Sequence, residues 1–290
     1  MPNLMIVFIS ALINFKKWIV NPRIYTLVAL IIAFLAYHTT GLTQFAGENG
    51  MKLTPWIFPH LMTPPVMQVF ACFTILLFSD APFTDRHMPF MVVRSGRQNW
   101  ILGQLAYIVL ASLIYTLFIF IVSVLVLIPH VSFSFDWGVV INSLGANSRL
   151  APEATVFFDE RLISIFSPVV ATLISLVLFW MVSTFIGVLI FCFNIVIGHM
   201  SGLVATGFLI FMSFFSIIHG RLVLGDWISY VSPISWMSMS FYNWGHAEPF
   251  QSPSMMYALF FLIGTILLMG FISVKVFCKK DLSIQAVRGF

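Results

Sequence analysis

The sequence predicts an all-α integral membrane protein with six transmembrane helices. Of its 290 residues, 60% are hydrophobic and only 8% are charged, whereas an ordinary soluble domain carries about 25% charged residues. Six apolar stretches are long enough to cross about 30 Å of hydrocarbon as helices. Loops with many lysine and arginine residues alternate with loops that have few, and this alternation predicts the orientation of the spans. We therefore treat residues 1–290 as one transmembrane domain.

The first element, residues 1–22, is predicted to be a helix that lies in the membrane plane. Its polar residues form one narrow stripe on an otherwise apolar helix: Asn3, Ser10, Asn14, Lys17 and Asn21. Such a helix lies at the interface, and we expect its stripe to face the cytoplasm. The alternative is that residues 4–20 cross the membrane, which would make seven spans and remove the charge asymmetry.

The six predicted spans follow in order, and they comprise residues 24–43, 60–79, 100–128, 163–195, 200–218 and 254–275. The third and fourth are longer than one crossing requires, so we expect them to tilt or to project into water. Only a short segment separates the fourth span from the fifth. Gly198 and Gly202 are suited to the turn between them.

The basic residues predict that both termini are cytoplasmic. Ten lie on the side of the termini: Lys16, Lys17, Arg23, Arg86, Arg94, Arg97, Lys275, Lys279, Lys280 and Arg288. Four lie opposite: Lys52, Arg149, Arg161 and Arg221. Basic loops stay in the cytoplasm. The net charge of +4 follows from this topology and does not indicate nucleic-acid binding.

Two sizeable loops are predicted on the outer side, at residues 129–162 and 219–253. The second loop places tryptophan and tyrosine among serine, proline and glycine, which is typical of the lipid–water interface. We expect it to form short helices that enter the outer leaflet and return, with Pro233 at the break. An ordinary aromatic-rich surface loop is the alternative. The role of residues 129–162 stays open.

The spans contain no acidic or basic residue near their middle. This disfavours ion-coupled transporters, which need ionisable groups at depth. A membrane enzyme is disfavoured too, because no paired acids, nucleophile motif, HExxH or P-loop is present. No cofactor or metal is therefore expected in this chain. Neutral polar residues remain as candidates for interhelical contacts or for the lining of a substrate path: Gln68, Thr74, Ser213 and Ser216.

Residues 80–99, between the second and third spans, carry five charged side chains: Asp80, Asp85, Arg86, Arg94 and Arg97. One arginine at mid-bilayer costs about 2.5–3.5 kcal/mol, so this segment is predicted to lie in the cytoplasm. Pro89 suits the first turn of a short helix over residues 89–97. Its apolar side chains, surrounded by arginine, predict a docking contact.

With its in-plane helix, six spans, the segment FTDRHMPFMVVRSGRQNWILGQ (83–104) and the aromatic loop SYVSPISWMSMSF (229–241), the chain resembles the six-span permeases of ABC exporters. The stretch VVRSGRQNWILGQL is similar to permeases of Firmicutes. The resemblance implies a bacterial cytoplasmic membrane, a separate ATPase subunit that holds ATP and Mg²⁺, and a second permease, identical or related. It implies an exported cargo, such as an amphipathic peptide, antibiotic or lipid-like molecule.

The same resemblance implies roles for individual residues. It implies that the residues that couple to the ATPase are Asp85, Arg86, Phe90, Arg94, Gly96, Arg97 and Trp100. It implies that the residues of the outer gate are Tyr230, Pro233, Trp236 and Met237. The alternative function is an ATP-independent channel, facilitator or scramblase, and in neither case is the chain itself expected to be an enzyme.

Overall fold

The structure, a computed structural model, describes residues 2–83, 88–244 and 252–279. Within these ranges the chain is helical, and extended pairing is confined to one bridge between Leu53 and Val131. Twelve α-helices are described: α1 Leu4–Lys16, α2 Pro22–Glu48, α3 Phe58–Leu61, α4 Val66–Phe78, α5 Met88–Ser95, α6 Arg97–Leu125, α7 Gly138–Ala146, α8 Glu160–Ile165, α9 Pro168–Val196, α10 Ser201–Phe215, α11 Arg221–Leu224 and α12 Met255–Lys279.

Four helices, α2, α6, α9 and α12, are long and apolar enough to cross a membrane. The other two predicted spans correspond to the shorter helices α4 and α10, of 13 and 15 residues. At 1.5 Å per residue these measure about 20 and 22 Å. Pro64 and Pro65 precede α4 and stop it from continuing back into α3, because proline cannot donate a helical hydrogen bond.

The centre of the bundle is α9. In its most apolar 18-residue stretch, 72% of the residues are buried. The corresponding share is 22% in α2 and 11% in α12. Helix α9 packs against α4, α6, α10 and α12. Gly187 permits this close packing, since a Cβ atom there would lie 2.6 Å from Ile108 and 2.9 Å from the Phe78 ring. The exposed faces of α10 and α12 are apolar, with Phe208, Phe260 and Leu267 among their exposed side chains.

The six apolar helices alternate in direction, and contacts between their ends show this. Asn194, near the end of α9, donates to the carbonyl of Ala81 after α4 (2.7 Å) and accepts from the backbone N–H of Gly202 in α10 (2.9 Å). At the same end, Trp100 of α6 stacks on Phe277 of α12 with ring centroids 4.9 Å apart. We call this end, where α4, α9 and α12 finish and α6 and α10 begin, the inner end.

The inner end also collects most of the basic side chains that the structure describes: Lys16, Lys17, Arg23, Arg94, Arg97, Lys275 and Lys279. Asp80 is there too, and its carboxylate pairs with the Arg23 guanidinium at 2.6 Å. The opposite, outer end carries most of the acids. The folded chain thus has the charge segregation that the loops of the sequence predict.

Helix α1 departs from its prediction in one respect: Ser10 and Asn14 of its polar stripe face α6, so the expectation that these two residues face the cytoplasm is wrong. The Asn14 side-chain amide donates to Gln104 Oε1 at 2.7 Å, and Ser10 and Asn14 are buried. Leu4 and Phe8 lie on the exposed face. The physical reason is that polar side chains on an apolar helix find stronger partners on a neighbouring helix than at a lipid surface.

An outer layer, formed by residues 49–65, 126–166 and 225–244, covers the outer ends of the helices. Leu53 and His130 share a backbone hydrogen bond of 2.8 Å. The Thr54 hydroxyl donates to the carbonyl of Trp137 (2.8 Å). The predicted outer loop 129–162 is therefore a folded cover that contains α7 and α8.

Candidate functional site

Helix α5 presents an apolar face to its surroundings. Phe90 is 76% exposed and Val93 83% exposed, and Arg94 is exposed beside them, whereas Val92 on the opposite face is buried. We call Phe90, Val93 and Arg94 the docking face. The helix spans Met88–Ser95, close to the predicted 89–97. Contiguous exposed apolar side chains rimmed by charge are typical of protein or membrane contacts.

A short joint connects the docking face to the bundle. Gly96, between α5 and α6, has φ +80°, a left-handed conformation that a side chain disfavours. The Asn99 side chain donates to the carbonyl of Ser95 (2.8 Å) and accepts from the backbone N–H of Asn3 (2.9 Å). Three helices, α1, α5 and α6, therefore meet at one asparagine.

Two of the predicted coupling residues lie away from the docking face. The Arg97 guanidinium donates to the carbonyl of Cys278 (3.1 Å), and the buried Trp100 stacks on Phe277. They tie the start of α6 to the end of α12. Phe90 and Arg94 are on the docking face and Gly96 is in the joint, while Asp85 and Arg86 lie outside the described residues.

The outer-gate residues lie in two short 3₁₀ helices, Asp226–Val231 and Ser235–Met237, with Pro233 between them, and a third, Met239–Phe241, follows. Residues 232–239 are all buried, and we call them the outer roof. The Trp236 indole N–H donates to the carbonyl of Ser229 (3.0 Å). Its ring contacts Tyr257 and Phe261 of α12, and Tyr230 packs on the same Tyr257. Met237 is fully buried.

Two independent contacts place the outer roof deep in the bundle. A Cβ atom on Gly202 would contact the backbone of Ile190, so these two residues lie at the same level. Because α10 runs antiparallel to α9, Ser213 then lies at the level of Phe179 in α9. The hydroxyls of Ser213 and Ser235 are 2.9 Å apart. Phe179 lies eleven residues, or about 17 Å, from the start of α9 at Pro168.

The second contact agrees with the first. Phe261 of α12 packs on Trp236. It lies six residues, or about 9 Å, from the start of α12 at Met255. The outer roof therefore reaches well below the ends of the helices, and protein covers its irregular backbone.

Gln68 is the least satisfied polar side chain of the predicted path. It is 5% exposed, and neither atom of its amide has a hydrogen-bond partner among the residues that the structure describes. Phe70 packs on Phe179 and Phe78 approaches Gly187, and both pairs are 109 residues apart. This register brings Gln68 within about 3 Å of the level of Ser175 in α9.

The α10 register adds Ser216 to the same level. It lies three residues beyond Ser213, opposite residue 176 of α9. The hydroxyls of Ser175 and Ser216 also lack a partner within the described part of the chain. Helices α4, α9 and α10 pack on one another in all three pairs. We call Gln68, Ser175 and Ser216 the buried polar layer.

The remaining candidate, Thr74, lies lower and is satisfied locally: its hydroxyl donates to the carbonyl of Phe70 (2.9 Å). Sequence reasoning did not single out Ser175, Asn194 or Ser235 as site residues. Ser175 and Ser235 are two of many serines, and only the helix registers show where they lie. No group of three metal-ligating side chains occurs in the described ranges.

Compared with models of protein families, with curated proteins and with solved structures, the chain matched none of them. We therefore infer its function from its residues and their geometry.

Proposed function

We propose that the chain is the permease subunit of an ATP-driven exporter in a bacterial cytoplasmic membrane. It works with a separate ATPase subunit and a second permease, identical or related, and moves an amphipathic peptide, antibiotic or lipid-like cargo. The observation that carries this proposal is the docking face: an exposed apolar surface on a short helix, joined to the bundle by an asparagine that holds three helices.

The proposed topology has six spans with the inner end in the cytoplasm. The alternation of the six apolar helices and the basic side chains at the inner end support it. Helices α4 and α10 are short for a span, and the outer layer and the outer roof complete their passage. Irregular backbone at that depth is tolerated where protein covers it, and residues 232–239 are buried.

A protein partner fits the docking face better than lipid does. Burying Phe90 or Val93 gains about 1.5–3 kcal/mol each. Arg94 on the same face would oppose deep insertion into hydrocarbon, because arginine is costly there. At the rim of a protein contact it can instead pair with an acidic group.

The mechanism follows from the joint. When the ATPase subunits close on ATP, they displace α5, and Asn99 passes this displacement to α1 and α6. Helix α6 has 29 residues, about 43 Å, and acts as a lever that reaches the outer layer. Through Trp100 and Phe277 it also moves α12, whose Tyr257 and Phe261 hold the outer roof. Movement of α12 releases Trp236 and opens the outer gate.

The test compares two exposed phenylalanines. Phe90→Asp should abolish co-purification of the ATPase from native membranes and lower the ATPase activity of the complex at least about tenfold, which corresponds to about 1.4 kcal/mol of lost contact. Phe133→Asp is the matched control, because Phe133 is 83% exposed in the outer layer. Arg94→Glu should give a smaller loss than Phe90→Asp.

Unchanged co-purification and ATPase activity in Phe90→Asp would contradict the proposal. Reconstitution of this chain alone in liposomes addresses the alternative of an ATP-independent channel, facilitator or scramblase. Downhill flux without an ATPase would favour that alternative, whereas the exporter predicts flux only with the ATPase and ATP.

A further inference from the structure

We propose that the buried polar layer binds a neutral hydrogen-bonding group of the cargo, an amide or a hydroxyl, beside the outer roof. This inference rests on the proposed function, because it assigns the cargo chemistry of the same path. Three side chains, Gln68 of α4, Ser175 of α9 and Ser216 directly after α10, lie at one level of the bundle, and each is buried without a partner in the described chain.

The orphaned amide of Gln68 is the main observation. A buried polar group that forms no hydrogen bond lowers the stability of a fold, so it persists where function requires it. The chain contains a direct contrast in Gln104, which is 2% exposed and accepts a 2.7 Å hydrogen bond from Asn14. A glutamine whose only role is to join helices has a partner, as Gln104 does.

The chemistry of the layer selects a neutral group. A glutamine amide offers two donors and an acceptor, and each serine hydroxyl offers one donor and an acceptor. Helices α4, α9 and α10 contain no acidic or basic residue. A charged group would lose its hydration there and find no counter-charge. The surrounding walls are apolar, with Phe70 and Phe179 fully buried, and suit the hydrocarbon part of an amphipathic molecule.

The outer roof borders the layer. Ser235 shares hydrogen bonds with Ser213 (2.9 Å) and with Ser232 (2.7 Å), so one hydroxyl links the roof to α10 about one turn from Ser216. Hydroxyl groups exchange partners by rotation alone, which lets the roof detach without breaking a salt bridge. Displacement of the roof opens space beside the layer.

The experiment measures binding of three ten-carbon probes to the full chain in lipid nanodiscs: decanamide, decanoate and decylamine. Radiolabelled decanamide should bind the wild-type chain, and Gln68→Leu should weaken its Kd at least about tenfold. Ser216→Ala should weaken it less, and Gln44→Leu, at an exposed glutamine of α2, should leave it unchanged. Decanoate and decylamine should bind more weakly than decanamide.

A second measurement keeps the test independent of affinity. Because Gln68→Leu removes two orphaned atoms, the apparent Tm of the unliganded variant should rise by about 3 °C. Equal decanamide binding by wild type and Gln68→Leu overturns the proposal, and so does a preference for either charged probe. These measurements need no ATPase, so failure of the ATPase coupling at Phe90 is recorded separately.

Discussion

Gln104 and Gln68 are both buried glutamines on apolar helices. Gln104 has a hydrogen-bond partner, whereas Gln68 has none among the described residues. Near the inner end, Gln104 accepts from Asn14, and Trp18 donates to the neighbouring Tyr107 hydroxyl at 2.8 Å. Beside the outer roof, Gln68 has no described partner. The glutamine near the inner end thus fixes one helix to another, whereas the glutamine beside the roof retains unused hydrogen-bonding capacity.

This difference fits the two roles in the proposed exporter, in which one region transmits displacement and the other binds cargo. A joint that transmits displacement from α5 must be stiff, and satisfied buried polar contacts specify one arrangement. A binding layer must keep groups free for a cargo, which lowers stability. The two regions should therefore respond oppositely when a polar side chain is replaced by leucine.

The largest loss is expected from Asn194→Leu, which removes the amide that holds Ala81 and Gly202. Two backbone groups at the inner end are left without a partner, so the free energy of unfolding should fall by about 3 kcal/mol. Thermal unfolding in detergent measures this change. Asn142→Leu, at an exposed asparagine of α7, is the control and should change the apparent Tm little.

Gln104→Leu should lower stability by about 2 kcal/mol, because the Asn14 amide loses its acceptor in a buried site. The double variant Asn14→Leu with Gln104→Leu should recover most of this loss, since both polar groups are then absent. If the double variant is instead as unstable as the sum of its single changes, the hydrogen bond is not what fixes α1 to α6.

His60, in the outer layer, has one ring nitrogen with a hydrogen-bond partner and one without a described partner. Its Nδ1 accepts a 3.4 Å hydrogen bond from the backbone N–H of Asp159, while its Nε2 has no described partner. Its ring packs on Trp137 and Phe158.

The smallest effects concern two glycines. A Cβ atom on Gly103 would lie 2.5 Å from Ser10 Cβ and 3.0 Å from the carbonyl oxygen of Val7, so Gly103→Ala should push α1 away and cost about 1–2 kcal/mol. Gly207 of α10 has nothing within 4 Å of such an atom, so Gly207→Ala should gain up to about 1 kcal/mol from helix propensity. Unchanged stability in Gly103→Ala would mean that the packing of α1 on α6 is loose.

The sequence predicted the helical class and most helix positions because lipid imposes a simple rule on composition and length. The Asn21–Pro22 pair predicts the start of α2, where the Asn21 side chain accepts from the backbone N–H of Arg23. The predicted segment 60–79 is divided by Pro64 and Pro65 into α3 and α4. The docking helix is close to its predicted position because Pro89 and the charged residues mark it.

The sequence by itself determined which segments are apolar, where the charges collect and that α1 has a polar stripe. Only the tertiary structure decided what that stripe faces, which glutamine has a partner and how deep Trp236 lies. The physical reason is that burial in lipid depends on each segment's own composition. A hydrogen bond between helices depends on a register between residues as far apart as Asn14 and Gln104, and this register is set only when the helices pack.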